Sequence, residues 1–174
     1  MTINVDLSTD LQAWIRLAGM DLNQGSETAD GRTVIWNKGG EVRYFIGILD
    51  GYCVMTSSDR MGAEMFHFAT LTMKLLEKHL YGYFGGSVRK HHGFRRVKKP
   101  FARDELEEGY TLTEVTFAGR EQDALMDRAG SMVAIGSDDR LVEFSHYIDV
   151  SVDAIKGSFL APDGKPLFTL LAPG

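Results

Sequence analysis

The chain has 174 residues, 44% of them apolar and 25% charged, with a formal net charge of −5; this is the composition of an ordinary globular domain, long enough to bury a substantial core. Its single cysteine, Cys53, excludes a disulfide framework within the chain, and no run approaches the ~20 apolar residues of a membrane span. Met1 to Ser8 carries Asp6 and neither a basic run nor a long apolar one, so no signal peptide is expected and the expected location is the cytoplasm.

In chain order, Ser8 or Thr9 can cap an amphipathic helix with Leu11, Trp14, Ile15 and Ala18 on one face and Gly19 at its end. Asp21 to Gly31 reads as a polar connection. Three β-rich runs follow: Thr33–Trp36, Val42–Leu49 and Tyr52–Ser57. Asn37-Lys38-Gly39-Gly40 joins the first pair and Asp50-Gly51 the second. A two-residue Asp-Gly between such runs predicts a type I′ hairpin, because both turn positions need positive φ. In the middle run both alternating faces are largely apolar, which predicts a strand covered on both sides. A polar tip, 57–64, comes next, then a short strand over Glu64–Phe68 and a helix from about Thr70 to Tyr83. Its apolar face would be Leu71, Leu75, Leu76, Leu80 and Tyr83, with Gly82, Gly85 and Gly86 ending it.

Arg89 to Arg103 holds seven of the 19 basic residues and no acid, leaving 12 basic against 24 acidic residues elsewhere. The stretch has no clear period, and Pro100 limits any helix across it. Asp104 to Glu108 is an acidic helical turn stopped by Gly109. A second set of strands is predicted at Tyr110–Phe117, Gln122–Asp127 and Ser131–Gly136, with turns at 118–121 and 128–130. Asp138 or Asp139 would cap a helix carrying Leu141, Val142, Phe144, Ser145 and Ile148. Ser151 to Phe159 forms a further helix, and Leu167–Leu171 a last strand. The fold class is therefore α+β: one domain, 1–174, with an antiparallel sheet built from two strand meanders and helices packed on it.

No spacing among the histidines matches a zinc site, the glycine-dense 82–87 segment follows a helix rather than a strand, and Cys53 reads as a core thiol. Two chemical readings stay open. The basic stretch 89–103, interleaved with His91, His92, Phe94 and Phe101, can serve a nucleic-acid-binding accessory protein. Asp59, Glu64 and His67 can serve a small hydrolase. Against the first stand the acidic body of the chain and a pI near 5.5. A compact domain without a catalytic set is otherwise expected of a binding or inhibitory module.

The stretches Asp6 to Gly19, Asn23 to Ser26, Trp36 to Gly47 (WNKGGEVRYFIG), Ser57 to Glu64 (SSDRMGAE) and Val152 to Phe168 resemble one family across nearly the whole chain. It comprises the immunity factors of the tuberculosis necrotizing toxin and related actinobacterial polymorphic-toxin immunity proteins. The resemblance implies a cytosolic antitoxin, with no cofactor and no chemistry of its own. Such a protein binds the catalytic domain of an NAD⁺ glycohydrolase toxin one-to-one and blocks its NAD-binding site. On this reading the toxin-binding residues are expected at Ser57, Ser58, Asp59, Arg60, Met61, Gly62, Ala63, Glu64 and Met65. Met61 and Met65 offer adaptable apolar contacts, Gly62 permits close backbone approach, and Glu64 or Asp59 can mimic a phosphate.

Overall fold

The structure, a computed structural model, describes residues 3–173; Met1 and Thr2, at the start of the segment read above for a signal peptide, lie outside them. Four helices pack on one face of an eight-stranded antiparallel sheet, whose strand order is β1-β2-β3-β4-β5-β9-β8-β7. The first meander is β1 (Asp21–Asn23), β2 (Thr33–Trp36), β3 (Val42–Leu49), β4 (Tyr52–Asp59) and β5 (Met65–Thr70). The second is β7 (Thr111–Phe117), β8 (Arg120–Met126) and β9 (Met132–Gly136). They join where β5 pairs antiparallel with β9 through Phe68↔Gly136 and Ala69↔Ile135. A two-stranded ribbon of β6 (Val97–Lys98) and β10 (Thr169–Leu170) lies apart from the sheet.

Asp50 and Gly51 both take positive φ, 52° and 81°, in the two-residue turn that sets the β3–β4 register. Ala118 and Gly119 do the same between β7 and β8, a shorter turn than the 118–121 loop expected. Along β4, Cys53 and Met55 face the helices while Val54 faces away. The away-facing side is only partly covered. Val54, Ala69, Ala124 and Ile135 form a small second cluster there, roofed by Phe117 with Tyr52 and Phe66 against its ring. On β3 that cover gives out: Leu49 is exposed and Phe45 is half-buried under the Arg32 guanidinium. The expected two-sided burial of β3 is thus corrected. All four helices went to one face, and the other is covered only by its own side chains.

The main core lies between sheet and helices. In α1 (Thr9–Leu17), Ser8 caps through Leu11 N–H, and Leu11, Trp14 and Ile15 are buried. The Asp10 carboxylate then accepts from Tyr81 and Lys156, tying α1 to α2 (Met73–His91) and α4 (Val152–Leu160). Those bonds, the one from Lys156 foremost, hold its carboxyl below the usual range.

The sequence expectation for α2 needs the largest correction. It runs 19 residues, and Gly82, Gly85 and Gly86 sit inside it. A Cβ on Gly82 would lie 2.3 Å from the Tyr147 ring, and one on Gly85 2.5 Å from Phe159. These glycines admit aromatic rings against the helix backbone rather than stopping it. Leu71 lies before the helix and is exposed. The cap of α3 (Asp138–Ser145) is Ser137, with Asp138 and Asp139 in the first turn, where the helix dipole favours acids; Ile148 lies beyond its end. The Asp21–Gly31 connection holds the edge strand β1, too short to show a period.

Candidate functional site

Between β4 and β5 the chain reverses over Asp59-Arg60-Met61-Gly62. Gly62 N–H donates to Asp59 O at 2.8 Å, and Arg60 N–H to Glu41 O at 2.7 Å. Arg60 and Met61 have φ of 50° and 63°, so two successive non-glycine residues occupy the left-handed region. That conformation costs about 1–2 kcal/mol per residue and persists only where the surroundings enforce it. Here the strand pairing and Ser58 enforce it: the Ser58 hydroxyl, buried, donates to Gly62 O at 2.7 Å. A Cβ on Gly62 would fall 2.9 Å from Asp59 O, so glycine suits the close turn. At the tip Met61 is 77% exposed and Met65 64%. Asp59 is exposed and, among the described residues, in no ion pair.

Glu64 is placed differently from its neighbours. Its carboxylate accepts from Arg32 at 2.6 and 3.1 Å and from the Thr56 hydroxyl at 2.6 Å. The Arg32 bond is the main reason its carboxyl stays below the ordinary range. Glu64 therefore braces the turn against the outer sheet face, and Asp59 is left as the uncommitted carboxylate of the tip.

On the helix side a cavity of about 420 Å³ opens under the turn, lined among others by Tyr44, Ser57, Met65, His67, Tyr83 and Arg140. Tyr44 and Tyr83 share a hydroxyl–hydroxyl bond of 2.8 Å, and burial pushes the Tyr44 phenol well above its usual value. His67 is buried, and desolvation lowers its imidazole to about 3; desolvation likewise holds fully buried His79 well below its ordinary value. Among the described residues neither Nε2 has a hydrogen-bond partner. Asp59, Glu64 and His67 thus do not form one hydrolytic set. His67 is a neutral core imidazole on the helix side, while Glu64 is committed to Arg32 on the other face.

The basic stretch, open above to a nucleic-acid reading, is partly built into the fold. Its first three residues finish α2, and Arg89, 1% exposed, donates to the carbonyls of Arg95, Phe159, Ala161 and Pro162. Lys99 donates to Gly82 O and pairs with Glu143, Arg95 donates to Leu171 O, and Arg103 pairs with Asp123 and Asp138. Arg89 and Lys99 are therefore spent inside the fold, and Arg103 is paired with acids at the surface, which thins the basic stripe a nucleic-acid surface needs. A groove of about 710 Å³ between α2 and β6 remains, with Lys90 and Arg96 on its rim.

Cys53 is buried in β4, its thiol pushed up by desolvation. Among the described residues no group of three or more His, Cys, Asp or Glu is placed to hold a metal ion, and no helix is long and apolar enough to cross a membrane.

The chain is 61% identical over 170 residues to the Immunity factor for TNT of Mycobacterium tuberculosis (strain ATCC 25618 / H37Rv), spanning 98% of this chain and 97% of that one. It is equally similar to the Immunity factor for TNT homolog of Mycobacterium bovis (strain BCG / Pasteur 1173P2). The solved structure of Rv3902c from M. tuberculosis superposes with a TM-score of 0.95 at 60% identity, over 98% of both chains. The sequence model described as Immunity protein 61 matches residues 14–167. With that match over most of its length and relatives this similar from end to end, the chain belongs to the Immunity protein 61 family.

Proposed function

We propose that this chain is a cytoplasmic antitoxin that binds the catalytic domain of a cognate NAD⁺ glycohydrolase toxin one-to-one. The segment Ser57–Met65 enters the toxin's NAD-binding cleft and excludes the dinucleotide. The chain performs no chemistry of its own and needs no cofactor, nucleic acid or membrane. Its relatives' names, immunity factors for TNT, support the antitoxin role. The observation that carries the choice of segment is the left-handed pair Arg60-Met61, with Met61 77% exposed at the apex. A strained, rigid turn presenting an apolar side chain to water is a cost to the free protein, and such costs gather at sites of recognition.

The test is titration of the purified toxin domain, reading affinity and residual NAD hydrolysis. Met61→Asp places a charge where an apolar contact is expected and should weaken binding at least thirtyfold, about 2 kcal/mol. Thr113→Asp makes the same charge change on exposed β7, at the far edge of the sheet, and should bind as the parent does. Equal inhibition by parent and Met61→Asp would remove the turn from the interface.

A further inference from the structure

The cavity behind the turn is a receptor for which the chain supplies no occupant. Arg140, half-buried in the first turn of α3, lines it, and the one hydrogen bond its side chain makes among the described residues is a long 3.4 Å contact to the His67 carbonyl. The acids beside it in sequence are used elsewhere: Asp138 pairs with Arg103, and Asp139 accepts from the Ser137 hydroxyl. Asp59, the acid on the cavity's rim, makes no ion pair with it. A half-buried guanidinium carries five N–H donors in a fork that fits a carboxylate edge-on. Nearly all of that capacity is idle here.

The rest of the lining is also rich in donors. Tyr44 and Tyr83 have two hydroxyl protons but use only one in their mutual bond, so the other is free to donate. Ser57 stands directly opposite Tyr44 in the β3–β4 ladder, with its hydroxyl uncommitted among the described residues. His67 is neutral, since burial foremost and the nearby Arg140 charge both disfavour its protonation, so Arg140 is the cavity's cation. Val42, Ala63 and Met65 make the mouth apolar. An apolar mouth over a donor-lined floor fits a side chain with a short aliphatic stem and a carboxylate end.

We infer that this cavity receives an acidic side chain of the partner protein, whose carboxylate is held by Arg140 with the Tyr44–Tyr83 hydroxyl pair while the adjoining turn makes the apolar contact. The inference rests on the function proposed above, because the cavity and the turn share Ser57, Gly62 and Met65. Two anchors side by side, one apolar and one charged, would fix the orientation of the docked turn as a single projecting methionine cannot.

Three variants test it. Arg140→Gln removes the charge and should weaken toxin binding at least thirtyfold at an unchanged thermal midpoint. Arg140→Lys, which keeps the charge without the fork, should fall between. Replacing the toxin's interface Asp and Glu residues one at a time by their amides should reveal one whose loss adds nothing once Arg140 is Gln. Ser57→Asp needs no toxin: it sets a carboxylate of the chain itself into the cavity. It should raise the thermal midpoint and abolish binding. A lowered midpoint for Ser57→Asp, or parental affinity for Arg140→Gln while Met61→Asp fails to bind, overturns the receptor and leaves the turn's role standing. Parental affinity for Arg140→Gln, Ser57→Asp and Met61→Asp alike removes turn and cavity together, and a parent protein that binds no NAD⁺ glycohydrolase also overturns the inference.

Discussion

His79 lies flat on Phe68, ring centroids 3.7 Å apart and planes 4° from parallel, in the middle of the contact between α2 and β5. Its neighbour His67 stands 5.8 Å away, and both imidazoles are buried without a partner for Nε2. Desolvation holds His67 at about 3 and His79 well below its ordinary value, so both stay neutral in the folded protein.

The unfolded chain protonates these histidines near pH 6.5, and below that pH it binds more protons than the folded state. Stability is therefore full above about pH 6.5 and falls as the pH drops below it, by at most about 1.4 kcal/mol per pH unit for each imidazole that the fold keeps neutral. The carboxylates with lowered values, Asp10, Asp30 and Glu64, add their own loss only below about pH 4.5. Urea midpoints at pH 7.5, 6.5 and 5.5 isolate the histidines. His79→Phe should roughly halve the slope; an unchanged slope would assign it to other groups.

Arg89 should behave as a structural cation. It joins the C-terminal end of α2 to the carbonyls at and just beyond the end of α4, and no carboxylate pairs with it among the described residues. Arg89→Met leaves several buried carbonyls unpaired and is expected to cost at least about 3 kcal/mol. Arg89→Lys keeps the charge but cannot span four acceptors, and should recover less than half of the loss. By contrast Lys98→Ser, at an exposed position, should stay within about 0.5 kcal/mol. Denaturant titration of the three variants checks the order.

Two turns with the same backbone but different residues give a paired test. Asp50-Gly51 and Ala118-Gly119 both hold positive φ at two positions, yet alanine is poorly suited to the first. Ala118→Asn should stabilise by about 0.5–1 kcal/mol, and Gly51→Val should destabilise by about 1–3 kcal/mol although open space surrounds that position. Thermal midpoints moving in opposite directions would show that backbone conformation, rather than contact, sets both effects.

Strain at the tip predicts a conflict between stability and binding. Replacing Arg60-Met61 by Asn-Gly suits the left-handed conformation and should stabilise by about 1–2 kcal/mol. The same change deletes Met61 and should weaken toxin binding by at least tenfold. A variant both more stable and fully inhibitory would show that the apex side chain is dispensable.

What could be read in advance depended on whether a residue's role was local. Asp50-Gly51 announces its turn because a two-residue link demands positive φ, and the β3–β4 pairing follows from it. Arg60-Met61 carries no such signature, so the polar segment 57–64 was legible as a connection but not as a strained hairpin extending β4 to Asp59. Glycines 82 and 85 look alike whether they stop a helix or admit a ring against it, and only Tyr147 and Phe159, more than 60 residues away, decide. The same distance hid Arg89, whose helix-capping acceptors lie at 159–162, and a separation of 32 residues hid Glu64, whose partner is Arg32. Arg140, in the first turn of a helix, gave no sign in sequence of facing a cavity beneath a turn some 80 residues earlier.

The glycines of α2 also bear on the order of synthesis. A helix interior with three glycines is intrinsically weak, each costing about 1 kcal/mol relative to alanine. Its rigidity comes from Tyr147 and Phe159, near the other end of the chain. A nascent chain emerges from the ribosome starting at its N-terminus, so residues 73–91 can meet α1 and β5 early but lack the two rings that fill their glycine gaps until about residue 160 is clear of the exit tunnel. Tyr83 belongs to that same helix, and the cavity beneath the tip is incomplete until it is in place. A truncated or stalled product would therefore carry the whole turn in its sequence and still lack the surface on which the turn is presented.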